Sequence, residues 1–135
     1  MSHPDGLPDL FIDRSLGRLV VPGVLRQAGL RLTTLAERYG IPQDEAVSDV
    51  VWLAEAGRRG EVVFMKDERI RYNTVEKETV KLHAVRCFSL TRQDLRGDQM
   101  ADRFLNNLEA IVKASVNPGP FICTVNANGV RYVPL

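Results

Sequence analysis

The sequence predicts an α/β fold: a mostly parallel central sheet flanked by helices, with a C-terminal β-hairpin. Three observations lead there. Short apolar runs such as Leu10-Phe11-Ile12 and Val62-Val63-Phe64-Met65 break off abruptly in charged residues, as strands buried on both faces do. Segments of helical period alternate with these runs, the pattern of a parallel sheet with crossover helices. Asn128-Gly129 lies between two apolar runs near the end of the chain, a strong local hairpin signal.

The 135 residues suit one domain, residues 1–135, with residues 1–8 as an irregular arm carrying Pro4, Gly6 and Pro8. Formal net charge is +1, so any attraction for nucleic acid must come from local patches. No apolar run is long enough to span a bilayer. The start of the chain lacks the basic and apolar regions of a signal peptide, so a cytoplasmic protein is expected. Cys87 and Cys123 stand in separate apolar runs without a CxxC spacing and are expected to be buried free thiols. His3 and His83 are too isolated to suggest zinc.

In chain order, residues 10–13 form the first strand and Arg14-Ser15-Leu16-Gly17 the turn after it. Pro22 suits the first turn of a helix and Gly29 its stop. Residues 30–36 alternate as a second strand, with a short helix as the alternative, and residues 37–44 are a loop. Ser48 is placed as the N-cap of a helix that Gly57 or Gly60 can end. Residues 61–66 are the third strand. Asn73 and Glu76 have capping-box spacing, and Val75, Thr79 and Leu82 mark the face of the helix they begin. Residues 85–90 are the fourth strand. Asp98 is placed as the cap of one long helix with an apolar stripe at Met100, Phe104, Leu108, Ile111 and Val112, ended by Asn117-Pro118-Gly119-Pro120.

Asp13 and Asp67 each follow an apolar strand, and Asp49 begins a helix. In open α/β sheets ligands bind beyond the carboxyl ends of the strands. Three carboxylates gathered there repel one another, but they suit Mg²⁺ or Mn²⁺, hard cations that take oxygen ligands. Each aspartate also has a plainer account. Asp13 can cap the turn after its strand, Asp49 can serve the positive end of its helix, and Asp67 can pair with Lys66 or Arg69. Spacing alone leaves both accounts open.

The stretches Leu10-Phe11-Ile12-Asp13-Arg14-Ser15-Leu16-Gly17, Val47-Ser48-Asp49-Val50-Val51-Trp52 and Val63-Phe64-Met65-Lys66-Asp67-Glu68-Arg69-Ile70, in that order, resemble a PIN-like domain. They are similar in particular to the small VapC-related toxins of bacterial toxin–antitoxin systems. Val85-Arg86-Cys87-Phe88-Ser89-Leu90-Thr91 and Gly119-Pro120-Phe121-Ile122 extend the resemblance from about Asp9 to the end. It implies a metal-dependent endoribonuclease with Asp13, Asp49 and Asp67 as catalytic and metal-holding residues, Mg²⁺ or Mn²⁺ as cofactor, and water activated by the metal attacking the RNA phosphodiester. It also implies a toxin silenced by a cognate antitoxin. Where the family pattern often adds a fourth acidic residue, this chain has Ser89 and Thr91, with Asp94 further on.

Arg14, Arg18, Lys66, Arg69 and Arg71 flank the proposed carboxylates. Arg14, Lys66, Arg69 and Arg71 are the candidates for holding RNA phosphates, with Tyr72 available to stack on a base; solvated surface charge is the alternative. Part of the stripe over residues 104–112 is expected to stay exposed, as a homodimer contact or an antitoxin groove. From a different functional class, a catalytically inactive PIN-like module that binds RNA or protein fits the same fold. A small-molecule phosphate-ester hydrolase is a third reading.

Overall fold

The computed structural model describes residues 2–66, 70 and 72–135. Its elements run β1 (Leu10–Ile12), α1 (Val20–Gln27), β2 (Leu32–Thr34), α2 (Leu35–Tyr39), α3 (Asp49–Arg58), β3 (Val62–Met65), α4 (Thr74–Leu82), β4 (Arg86–Leu90), α5 (Gly97–Asn106), α6 (Leu108–Ser115), β5 (Phe121–Asn126) and β6 (Gly129–Val133). Short 3-10 turns lie at Arg14–Leu16 and Gln43–Ala46. The strands form one sheet in the order β2-β1-β3-β4-β5-β6. Every pair is parallel except β5 with β6. The expected α/β architecture with a terminal hairpin is present.

Alternation along the strands divides the core in two. Leu10, Ile12, Val62, Phe64, Phe88 and Cys123 point to the face covered by α1, α5 and α6. Phe11, Val63, Met65, Cys87 and Ile122 point to the other, against Trp52, Leu53 and Val80 of α3 and α4. Both faces are dry, which explains why these strands read as continuous apolar runs. Aromatic pairs fix each layer: Phe64 stacks on Phe104 with centroids 4.2 Å apart, and Phe11 on Trp52 at 5.4 Å. Cys87 and Cys123 lie on opposite faces, both free and buried.

Three helices hand over to the next strand through one device. At the ends of α1, α3 and α4, the N–H groups of Leu30, Glu61 and Val85 reach back to the carbonyls of Leu25, Ala56 and Val80. This is the Schellman arrangement, which needs a left-handed residue just before the returning N–H. Gly29 and Gly60 supply it at φ 94° and 69°; Ala84 supplies it at φ 53°. Gly57, expected from sequence as a possible helix stop, lies inside α3 instead. A Cβ there would sit 2.5 Å from the His83 carbonyl oxygen, so its role is close approach to the end of α4.

The other departures from expectation have local causes. Thr34 and Glu37 form a reciprocal capping box, so the second strand stops at Thr34 and the expected loop begins as α2. The long C-terminal helix is two. It breaks at Asn107, whose side-chain amide donates to the carbonyls of Arg103 and Asn126, each at 2.9 Å. Its N-cap is Arg96 rather than Asp98, which lies in the first turn. The hairpin turn is Ala127-Asn128, because Gly129 already pairs with Asn126. On α4 the helix buries Glu76, Thr79 and Val80, while Val75 and Leu82 stay exposed. Within the stripe expected to stay exposed, Phe104 and Ile111 are fully buried and Leu105, Leu108 and Val112 pack on the core. His3 ties down the N-terminal arm: its Nδ1 accepts from the Arg31 N–H at 2.9 Å and its Nε2 lies 2.8 Å from the Leu7 carbonyl oxygen.

Gly57→Ala is expected to cost about 1–3 kcal/mol through overpacking. Gly23→Ala, inside α1 with open space at its Cβ, is expected to add about 0.5–1 kcal/mol. Urea unfolding midpoints at unchanged slope check both.

Candidate active site at the carboxyl edge of the sheet

The strand order reverses direction between β1 and β3: the chain goes from β1 outward to β2, then returns past β1 to β3. Crevices at such switch points are where α/β sheets bind ligands. Asp13 follows β1 at this point. Its N–H continues the ladder to the Phe64 carbonyl at 3.2 Å. Its carboxylate accepts from the Arg14 N–H and from the Ser15 hydroxyl, both at 2.7 Å. Asp13 therefore does cap the turn that follows it, yet it is only 5% exposed. The Ser15 oxygen in turn accepts from the Lys66 N–H at 2.9 Å. One hydroxyl thus joins the end of β1 to the residue just beyond β3.

Asp49 is the first residue of α3. Ser48 is its N-cap by backbone conformation but makes no side-chain cap bond. The Trp52 indole N–H donates to an Asp49 oxygen at 3.0 Å, and Trp52 is itself locked against Phe11 of β1. Two arginines from the segment after β1 hold the chain leading into α3. The Arg14 guanidinium donates to the carbonyls of Glu45, at 3.2 Å, and Val47. Arg18 grips the buried Asp44 carboxylate through Nε and Nη2.

The two carboxylates lie within electrostatic reach of each other. Burial pushes the Asp13 carboxyl up to about 6, the Asp49 charge pushes in the same direction, and the hydrogen bonds from Ser15 and the backbone oppose them. Cys87, on the same face two strands away, has its thiol pushed up by burial, with Cys123, Asp13 and Glu76 adding to the effect. Burial pushes the Cys123 thiol up to about 12.

Of the residues singled out from sequence, Asp13 feels the Asp49 charge, while Asp67, Glu68, Arg69 and Arg71 lie outside the described residues. Lys66 directs its ammonium to the Gln93 carbonyl at 3.5 Å. Ser89 is buried, in register with Met65. The Thr91 hydroxyl reaches the Val125 carbonyl at 3.5 Å, and Asp94 pairs with Arg92 at the surface. Among the described residues, no three His, Cys, Asp or Glu side chains meet to hold a metal. Two features escape a reading of the sequence, one in the site and one on α4. Ser15 sits two positions beyond a strand-ending aspartate, a signal available in Asp13-Arg14-Ser15. Glu76, expected only as a capping partner, does donate its N–H to the Asn73 side chain at 3.0 Å, but it is also buried.

A family model described as "PIN like domain" matches residues 8–92, the stretch from β1 through β4 that builds the crevice. The chain belongs to the PIN-like domain family. "Putative ribonuclease VapC45" of Mycobacterium tuberculosis (strain ATCC 25618 / H37Rv) is 44% identical over 127 residues, 94% of this chain and 92% of that protein. No solved structure matches the chain. In this PIN-like crevice the donors are hard carboxylate oxygens, one of them buried and raised in pKa beside a like charge. That donor set fits a hard divalent cation, which relieves both the desolvation and the repulsion.

The sign of the metal-free pH dependence follows. Because the folded-state value of Asp13 lies above its ordinary 3.8, the folded protein keeps a proton that the unfolded chain releases. The stability this group contributes is full below 3.8 and lost as pH rises through about 6, by about 3 kcal/mol in all. Asp13→Asn removes this titration. In EDTA it should be more stable than the wild type at about pH 8, with the difference closing towards about pH 4. Urea melts across that range check it.

Proposed function

We propose that this PIN-like protein is an endoribonuclease dependent on Mg²⁺ or Mn²⁺, and that it serves as the toxin of a type II toxin–antitoxin module. The observation that carries the reading is the buried Asp13 carboxylate at the β1–β3 switch point, raised in pKa with the Asp49 charge beside it. The likeness to a relative named as a ribonuclease supports the substrate class.

Asp13, Asp49 and Asp67 would hold the cation. Such an ion, when bound, polarises the phosphoryl group and lowers the pKa of water. The protein's share is preorganisation. Ser15 fixes one oxygen of Asp13, the Trp52 indole fixes one of Asp49, and Arg14 and Arg18 hold the segment that delivers Asp49. The arrangement suits direct hydrolysis, since both cysteine thiols are buried with raised pKa and unsuited to act as nucleophiles. Lys66, Arg69 and Arg71 are the side chains for RNA phosphates, and Arg14 acts first as a tether. The reading places this action on RNA in the cytoplasm. Among the described residues no helix is long and apolar enough to cross a membrane. A cognate antitoxin is the protein partner of this reading, and a homodimer is compatible with it. The apolar side chains left for such contacts include Val75 and Leu82 of α4, 62% and 79% exposed.

Asp13→Asn and Asp67→Asn should each lower RNA cleavage roughly a thousandfold, the order of several kcal/mol of transition-state stabilisation. The double variant should cost little more, because residues serving one ion act as a unit. The measurement is cleavage of an RNA oligonucleotide by purified, folded variants in Mg²⁺, in Mn²⁺ and in EDTA. Wild-type cleavage that persists in EDTA, or full activity of Asp67→Asn, would overturn the metal-nuclease reading. RNA or antitoxin binding without any cleavage would favour the inactive PIN-like binding module.

A further inference from the structure

The carboxyl edge of the sheet carries a second concave surface that the acidic crevice does not use. A cavity of about 510 Å³ opens between the ends of β4 and β5, the β5–β6 turn and α5. Thr91, Arg92, Arg103, Asn126, Asn128 and Arg131 line it, and no carboxylate does. Arg92 is neutralised by Asp94 at 2.7 Å. Arg103 and Arg131 have no carboxylate within 4.0 Å among the described residues. Two guanidiniums without a carboxylate partner among the described residues, lining one polar hollow, present the forked donors that fit a phosphate.

The position is as informative as the charge. β1, β3, β4 and β5 are parallel neighbours, so the hollow opens on the same edge as Asp13. Three strand spacings place it about 14 Å along that edge. Lys66 bridges the gap: it follows β3, and its ammonium bonds the Gln93 carbonyl next to Arg92. Basic groups therefore run from the acidic crevice to the hollow. An apolar antitoxin helix would find little to bury among these arginines and asparagines.

We infer that this hollow is a subsite for a backbone phosphate of the RNA strand, a few nucleotides from the bond that is cleaved, with Arg103 and Arg131 as the phosphate ligands. The inference rests on the ribonuclease reading for its substrate, but it concerns binding and is tested by binding. Arg131 is exposed on the edge strand β6, so its replacement leaves the fold intact even if Arg103, half-buried on α5, proves less tolerant.

The experiment measures fluorescence anisotropy of a single-stranded RNA oligonucleotide in EDTA, for the wild type, Arg103→Gln, Arg131→Gln and the double variant, across a salt series. The double variant should bind roughly tenfold more weakly. Its plot of log affinity against log salt should be shallower by about 0.7, the change expected when one phosphate of a single strand is no longer neutralised. The affinity that the wild type gains when the oligonucleotide is lengthened should disappear. Unchanged affinity and slope would overturn the subsite; if wild-type cleavage in Mg²⁺ is intact, the nuclease reading survives that failure. Absence of cleavage by the wild type would overturn the nuclease reading instead, while the titration still decides the hollow. Weakened antitoxin binding at unchanged RNA affinity would assign the hollow to a protein and overturn the inference. Inorganic phosphate binding abolished in the double variant, again at unchanged RNA affinity, would assign it to a free anion and do the same.

Discussion

The burial of the Asp13 carboxylate is the constraint on which the rest of the structure depends. A carboxylate held nearly out of water at the end of a central strand is costly, and its raised pKa records that cost. The surroundings offset part of it through the Ser15 hydroxyl and the Arg14 N–H. They also add to it by holding Asp49 close enough for its charge to be felt. A fold selected for stability alone would keep a second carboxylate away. Cost concentrated at one point, at the switch point where α/β sheets bind ligands, is the physical mark of a candidate functional site.

That cost is sustained because the elements carrying the carboxylates cannot relax. β1 lies between β2 and β3 with both faces covered, and α3 is pinned to it through Trp52 on Phe11. α1, α3 and α4 end in the same back-bonded turn and pass directly into strands, which leaves little freedom in the connections. Arg14 and Arg18 show how electrostatics serves this rigidity. Their positions beside an aspartate invite a phosphate-binding role, yet the folded chain commits both to the segment before α3, Arg18 through an ion pair with a buried partner. Positive charge without a carboxylate partner among the described residues is found instead further along the edge, at Arg103 and Arg131.

The parts of this protein legible in its sequence are those set by neighbours along the chain. Apolar runs ending in charge mark β1 and β3, glycines at left-handed positions mark the stops of α1 and α3, and the strand-ending Asp13 marks the crevice. Where expectation fails locally, a competing local signal prevails: the Thr34–Glu37 capping box turns an expected loop into α2. Other features depend on partners distant in sequence. The break between α5 and α6 is held by an Asn107 bond to Asn126 across the sheet edge. The inward face of α4, with Glu76 buried and Val75 exposed, is set by what the helix packs against rather than by its own hydrophobic period. That the Asp49 charge is felt at Asp13 was decided by tertiary structure alone, because strand order, not spacing, determines which loop ends lie near one another.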